Sequence, residues 1–349
     1  MHLLKKKVSS ISNTLMFVSV IIPIYNVEQY IEACVRSVAA QRFTDYEIIA
    51  VDDCSQDNSM KVFHDTIERL GIAKDMVKVI HHEENRGLSA ARNTGILASQ
   101  AQYVYFLDSD DTITPDCIGK MVERSNYRGR DMEMVVGEYS FNGPALGSPH
   151  IGTKKHYLGR KEYIRAYCKN QIFPMAWNRL VLREFILKYN IFFEEGLIHE
   201  DTLWNFQLLP FIKSVAIVHD VTYRYRVREN SLQTDRNFEK HFNANNYIVK
   251  RMVEMIVASP SLKKNKYVYD FVETEKWRHL NDCYLTGNMH LVRQLYTLYR
   301  ELPHYSPLKA ILLFGYHEGI LRKIIKRDRH YAMSFEKGLA YYSTLAESL

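Results

Sequence analysis

Short apolar runs and longer amphipathic stretches alternate along the first third of the chain. The apolar runs have the length and β-branched content of strands buried on both faces, and they occupy residues 17–24, 46–51, 77–81 and 103–107. Apolar residues at helical spacing fill the stretches 27–40, 59–70 and 88–99. This alternation predicts right-handed βαβ units, and hence an α/β fold whose mostly parallel central sheet is flanked by helices.

The pattern changes beyond residue 140. Residues 142–152 hold two prolines and three glycines and predict a loop, whereas residues 214–227 predict a further strand. From residue 238 to the end the pattern is helical, with many Tyr and Leu residues. We therefore expect a disordered lead over residues 1–16, two halves of an α/β domain over 17–140 and 141–235, and a helical C-terminal region over 236–349.

Composition narrows the class of protein. Apolar residues make up 46% and charged residues 25%, which is the balance of a soluble globular chain. The net charge of +6 comes without a dense basic stripe, so we expect no nucleic-acid partner. The five cysteines have no CxxC spacing, residues 1–15 lack the apolar core of a signal peptide, and no apolar run approaches the ~20 residues that span a bilayer. These features predict a cytoplasmic protein.

Carboxylates cluster where the second and fourth predicted strands end. Asp52 and Asp53 close the second strand, and Asp108, Asp110 and Asp111 follow the fourth. Ligands of parallel α/β sheets bind beyond the carboxyl ends of the strands, and Mg²⁺ and Mn²⁺ prefer oxygen ligands. The second cluster therefore predicts a divalent-metal site. Turn formation and helix capping are the alternative, and that role suits Asp111.

A glycine and an arginine follow the third predicted strand, where residues 85–93 read NRGLSAARN. Gly87 permits a tight turn, and the helix that begins there presents an N-terminus suited to anions. Arg92 lies one turn further along, and its guanidinium could hold a phosphate or a carboxylate. Bracing of the acidic loop by Arg92 is the alternative to direct ligand binding.

Four motifs in order carry a resemblance to a known family. They are residues 20–26 (VIIPIYN), 51–55 (VDDCS), 85–93 (NRGLSAARN) and 108–111 (DSDD). Together they closely resemble those of family-2 glycosyltransferases with the GT-A fold. The resemblance is strong over residues 18–123 and continues more weakly through residues 176–180, 199–202 and 223–226. It implies a GT-A fold, Rossmann-like with a mostly parallel sheet flanked by helices, to which this chain adds a helical C-terminal region.

The resemblance also implies roles for individual residues. Residues 17–140 would form the donor-binding half of the GT-A domain and residues 141–235 the acceptor-binding half. The nucleotide-sugar donor would contact Pro23, Tyr25, Asn26, Glu28, Asp52, Asp53, Asn85, Gly87, Arg92, Asp108, Ser109 and Asp110. Asp110 and Asp108 would hold Mn²⁺ or Mg²⁺ on the donor's diphosphate. Asp201 would be the catalytic base; an acidic first turn of a helix is the alternative, and it suits Glu200 better.

The resemblance implies an inverting glycosyltransferase that moves a sugar from a nucleotide sugar to a glycan or a lipid-linked oligosaccharide. We expect the donor to be UDP-linked. This chemistry is typical of bacterial surface-polysaccharide synthesis. The QxxRW signature of processive members is absent, which favours transfer of a single sugar. Cys54 stands where the family's VDDGS pattern has glycine. A catalytically idle carbohydrate- or nucleotide-binding protein of the same fold is the alternative.

Two groups of basic residues allow more than one structural prediction. Residues 320–330 (ILRKIIKRDRH) carry five Lys or Arg residues against one Asp, a net +4, with apolar residues on one helical face. This predicts a weak peripheral association with the inner face of a membrane; packing of the helix on the helical region is the alternative. Arg224, Arg226 and Arg228 alternate along the last predicted strand, and they predict either a flap over the diphosphate or a solvated face.

Overall fold

The computed structural model describes residues 16–142, 151–227 and 238–285, together with 290, 292, 294, 295, 298 and 299. The basic segment 320–330 and Arg228 lie outside the described residues, whereas Arg224 and Arg226 belong to the last long strand of the sheet. No helix in the described part of the chain has the length and apolar character needed to cross a bilayer.

Strands and helices alternate as the sequence predicts through the first half. The strands are β1 Val18–Ile24, β2 Tyr46–Asp52, β3 Val77–His81, β4 Tyr103–Phe106, β5 Thr112–Ile113, β6 Asn126–Tyr127, β7 Arg130–Asp131, β8 Met134–Asn142, β9 Tyr157–Gly159, β10 Arg179–Leu182 and β11 Ser214–Arg226. The helices are α1 Ile31–Ala39, α2 Ser59–Arg69, α3 Leu88–Ala98, α4 Cys117–Arg124, α5 Arg160–Cys168, α6 Arg183–Tyr189, α7 Glu200–Leu208, α8 Phe238–Ala258, α9 Pro260–Lys263 and α10 Lys266–Leu285.

Nine strands form one central sheet in the order β3-β2-β1-β4-β10-β8-β11-β5, with β9 paired to β11. The pairs β1–β2, β2–β3, β1–β4 and β8–β11 are parallel. The short strand β10 is antiparallel to both β4 and β8, and β5 and β9 are antiparallel to β11. Six strands therefore point one way, which confirms the mostly parallel sheet, and β5, β9 and β10 point the other way.

The antiparallel strand β10 is the main feature that the sequence analysis lacked. Its four residues are too few for an apolar period to appear, and they follow a stretch rich in aromatic residues. In the sheet β10 lies between β4 and β8 and joins the two halves of the domain. The expected boundary at residue 140 falls inside β8, so the two halves share one continuous sheet.

Apolar residues on the two faces of the sheet pack into two separate clusters. Along β1, Ile21 belongs to one cluster, while Val20 and Ile22 belong to the other, as the alternation of side chains in a strand requires. Helix α3 lies against β1 at Gly95, where an added Cβ would come within 2.3 Å of Ile21 Cγ2. This close approach fixes the N-terminus of α3 above the carboxyl end of the sheet.

The described part of the C-terminal region is helical, as predicted. Helix α8 buries residues at helical spacing, namely Ala244, Ile248, Val249, Met252, Val253 and Ile256. Of these, Ile248, Met252, Val253 and Ile256 belong to the same apolar cluster as Ile21. The helical region therefore packs directly on the α/β domain and brings the first turn of α8 to the edge where the parallel strands end.

Candidate active site

A cleft of about 930 Å³ opens beyond the carboxyl ends of β1, β2 and β4. Parallel α/β sheets place their ligands at this edge. Most of the residues that the sequence analysis assigned to the donor and to the base line this cleft: Pro23, Tyr25, Asn26, Asp53, Asn85, Gly87, Arg92, Asp108, Ser109, Asp110 and Asp201. Residues from the four motifs, together with Asp201, are thus brought to one place.

Glu28 and Asp52, which we expected to contact the donor, do not line the cleft. Glu28 Oε2 accepts hydrogen bonds from the backbone N and the side-chain Nδ2 of Asn58, at 3.0 and 3.1 Å. Asp52 accepts from the backbone N of Ser55 at 3.0 Å, and its other oxygen lies 3.0 Å from Nδ1 of His81. Both carboxylates hold the turn between β2 and α2, a position that Asp often occupies.

Asp53, in contrast, fixes the loop that precedes α3. Its carboxylate accepts hydrogen bonds from the backbone N of Arg86 at 2.9 Å and of Gly87 at 2.7 Å, and it lies 2.7 Å from Nδ1 of His82. Gly87 has φ +88°, a conformation that side chains rarely tolerate. Asp53 therefore shapes the wall of the cleft through the backbone of this turn.

Two further turn residues adopt left-handed conformations beside β1 and β2. Asn26 has φ 50°, and its Oδ1 accepts a hydrogen bond of 2.8 Å from the backbone N of Gln56. Cys54, which replaces the family's glycine, has φ 63°. The loop therefore keeps the conformation that glycine adopts easily, and the cysteine bears a strain of roughly 1–2 kcal/mol.

Arg92 joins the acidic loop to the first turn of α7. Its Nη2 donates to Asp108 Oδ1 at 2.7 Å, and its Nη1 donates to Glu200 Oε1 at 2.6 Å. The guanidinium is 2% exposed, and the two carboxylates raise its pKa against the effect of burial. The structure thus shows Arg92 bracing carboxylates, which is the alternative that the sequence left open.

Asp111 anchors the other end of the acidic loop. Its carboxylate accepts hydrogen bonds of 2.6 Å from the hydroxyl of Tyr223 and from the backbone N of Arg226. Burial, followed by the charges of Asp110 and Asp108, raises the pKa of Asp111 well above its ordinary value. The loop therefore concentrates negative charge, and Asp110 is the member that lines the cleft beside Asp108.

Asp201 lies in the first turn of α7, on the wall of the same cleft. His199 precedes the helix with φ 59°, and this left-handed residue turns the chain into α7. Burial and the charge of Glu200 raise the pKa of Asp201 to about 7, while Arg92 opposes the shift. A carboxylate with such a pKa can accept a proton near neutral pH.

Several lining residues were not predicted as site residues. Trp177 forms part of the wall and stacks on Tyr223 and Tyr225, with ring centroids 4.5 and 5.5 Å apart. Lys240 reaches the cleft from the first turn of α8, and Tyr225 and residues 196–199 complete the wall. Trp177 lies in a segment that the family resemblance covers weakly. Lys240 carries no sequence signal, since only the packing of α8 brings it to the cleft.

The chain is similar to known glycosyltransferases. The model of the family described as "Glycosyl transferase family 2" matches residues 19–189. EpsH of Bacillus subtilis (strain 168), whose name gives it only as a candidate glycosyltransferase, is 32% identical over 222 residues, covering 62% of each chain. The chain thus spans less than two thirds of this relative.

Solved structures share the fold at low sequence identity. S. aureus TarS 1-349 in complex with UDP-GlcNAc superposes with a TM-score of 0.59 at 18% identity, covering 83% of this chain and 93% of TarS 1-349. The mannosyltransferase PcManGT from Pyrobaculum calidifontis, in complex with GDP-Man and Mn²⁺, gives a TM-score of 0.55 at 16% identity, covering 94% and 88% of the two chains. The chain has the GT-A fold, and over residues 19–189 it is similar to glycosyl transferase family 2.

Proposed function

We propose that this chain is an inverting glycosyltransferase that moves one sugar from a nucleotide-sugar donor to a hydroxyl of a glycan or lipid-linked acceptor. The observation that carries the proposal is the presence of Asp201 in the cleft that also contains Asp108 and Asp110. An inverting displacement needs a base for the acceptor and a separate site for the departing diphosphate. The cleft offers one carboxylate as the base and two that could hold a cation on the diphosphate.

Asp201 is the proposed base. Its pKa of about 7 leaves a large fraction of the carboxylate deprotonated at neutral pH, and the remaining basicity is sufficient to take a proton from a hydroxyl. A positioned carboxylate of this kind contributes about 10²–10⁴-fold to the rate. Arg92, through Glu200, holds the first turn of α7 and thereby orients Asp201.

Asp110 and Asp108 would hold a divalent cation, Mn²⁺ or Mg²⁺. No group of three or more His, Cys, Asp or Glu side chains that could bind a metal converges in the described residues. A cation at this loop would therefore need the donor's phosphates as further ligands, which is how Mg²⁺ is usually bound. The charges of Asp110 and Asp108, which together with the larger effect of burial raise the pKa of Asp111, fit such a cation. When bound, the metal would neutralise charge on the leaving diphosphate.

The donor is proposed to be UDP-linked. TarS, the structure described above with the higher TM-score, binds UDP-GlcNAc, whereas PcManGT binds GDP-Man. The shared fold therefore accommodates either base, and direct binding measurements have to distinguish them. For location we propose the cytoplasm, since none of the five cysteines forms a disulfide bond.

The test is a thermal-shift screen of UDP- and GDP-sugars with and without Mn²⁺, followed by transfer assays with the sugars that bind. A ligand at 100 times its Kd should add ~2.7 kcal/mol of stability. NMR of the product should show the anomeric configuration opposite to that of the donor. Retention of configuration would overturn the inverting mechanism. Binding of a donor with neither transfer nor hydrolysis would favour the idle binding protein.

A further inference from the structure

The first turn of α8 contributes to the wall of the cleft. Lys240 lines the cleft and its side chain is exposed, so solvent and ligands can reach it. The turn is held in place on both sides. Nδ1 of His241 lies 2.8 Å from Nε2 of His199, and Ala244 begins the buried face of the helix. The position of Lys240 therefore follows from the packing of α8 against the α/β domain.

Charges in the described wall are unevenly distributed. The carboxylates are Asp53, Asp108, Asp110, Glu200 and Asp201, and the Lys and Arg side chains are Arg92 and Lys240. Arg92 is 2% exposed and donates to two of these carboxylates, so its charge is balanced within the wall. A phosphate that enters this acidic cleft is repelled by most of the wall. Lys240 differs from Arg92 in that it is exposed, so an incoming phosphate can reach it.

We propose, on the basis of the function above, that Lys240 binds a phosphate group of a substrate. The ammonium group is a compact point charge on a flexible stem, which suits contact with a phosphate oxygen. That phosphate belongs either to the donor's diphosphate or to a diphosphate that links the acceptor glycan to its lipid. The contact between His241 and His199 joins the first turn of α8 to the start of α7, and both Lys240 and Asp201 line the cleft.

Binding measurements on Lys240→Met test this inference without requiring turnover. The substitution removes the charge and keeps a side chain of similar length. Lys250→Met is the matched control, because Lys250 is exposed on the same helix and does not line the cleft. Calorimetry would use three probes: inorganic pyrophosphate, UDP with Mn²⁺, and farnesyl diphosphate in the presence of saturating UDP. Loss of a charged hydrogen bond should weaken binding about 10- to 100-fold, and Lys240→Arg should restore most of it.

The probes distinguish the two sources of phosphate. Weaker binding of UDP and pyrophosphate would assign Lys240 to the donor. Weaker binding of farnesyl diphosphate, with UDP unchanged, would assign it to the linker of the acceptor. Equal affinities of wild type and Lys240→Met for all three probes, or a wild-type protein that binds none of them, would overturn the inference. A protein that binds UDP through Lys240 but transfers no sugar would instead refute the proposed function.

Discussion

Arg92 donates a hydrogen bond of 2.7 Å to Asp108 from a position that is 2% exposed. Its other terminal nitrogen bonds Glu200, the residue before the proposed base. A single buried cation thus joins the acidic loop to the helix that carries Asp201. Only a planar, forked side chain can serve two carboxylates in this way, and lysine offers one point charge instead.

Arg92→Met should therefore alter the pH dependence of transfer. The positive charge of Arg92 lowers the pKa of Asp201, so its removal should move the acidic limb of the kcat/KM profile to higher pH. Loss of one partner from a buried ion pair should also destabilise the fold by about 3–5 kcal/mol. A pH–rate profile and urea unfolding would measure the two effects. Arg86→Met is the control, because Arg86 pairs with Glu195 at the surface. If the acidic limb of the kcat/KM profile did not shift in a folded Arg92→Met protein, Arg92 would not influence the pKa of the base.

Asp110→Asn should abolish metal-dependent donor binding and nearly all transfer. The amide keeps the shape of the side chain and removes the charge that would hold the cation. Asp116→Asn makes the same chemical change in the helical turn just beyond the loop, where Asp116 pairs with Lys120, and it should remain active. UDP titrations with and without Mn²⁺ would compare the two variants. Wild-type Mn²⁺ dependence in Asp110→Asn would remove this residue from the proposed metal site.

Asp201→Asn should lower turnover by about 10²–10⁴-fold and leave UDP affinity close to that of wild type. The proposed base acts on the acceptor's proton and has no role in holding the nucleotide. A collapse of UDP affinity would place Asp201 in the donor site or in the fold.

The pKa of Asp201 also sets an expectation for stability. Because the folded pKa of about 7 lies above the ordinary value of 3.8 for Asp, the folded state binds more protons than the unfolded state between these values. The stability contributed by the protonated group is fully present below about pH 3.8 and is lost as pH rises through about 7. Asp201→Asn should therefore gain stability relative to wild type between pH 5 and pH 8, as measured by thermal unfolding. A constant difference across this range would contradict the raised pKa.

Cys54→Gly should stabilise the protein. Glycine removes a strain of roughly 1–2 kcal/mol at φ 63°, and it costs about 0.5–1 kcal/mol of extra chain entropy, so we expect a net gain of about 0.5–1 kcal/mol. Cys54→Ala keeps the strained backbone and should give no gain. Chemical denaturation would measure both. A less stable Cys54→Gly protein would mean that the contact of Cys54 Sγ with the carbonyl of Glu83 outweighs the strain.

The sequence was most informative where a regular period and a local motif coincide. The first four strands, and the gathering of Asp53, Gly87 and Asp108 at their carboxyl ends, follow from apolar runs and from the geometry of parallel sheets. Spacing alone did not separate Asp52 from Asp53, because neighbouring residues in a strand point to opposite faces and either could face the ligand.

Other parts of the site depend on long-range packing. Strand β10 is four residues long and shows no period, and Trp177 and Lys240 enter the wall only after β10 and α8 have packed. The sequence also could not show whether Arg92 braces carboxylates or binds a ligand. That distinction depends on the position of Glu200, which is distant in sequence. Local patterns contain no information on such contacts.

The place of β10 in the sheet has a consequence for how this protein can be divided. A fragment that ends near residue 140 retains β4 but loses the strand that pairs with its outer side. All four residues of β4 are buried in the intact chain, so the fragment would expose an apolar open edge. Such edges recruit other chains, and we expect this fragment to aggregate during expression. During synthesis the same edge of β4 stays uncovered until β10 leaves the ribosome. We expect chaperones to protect the chain during this interval.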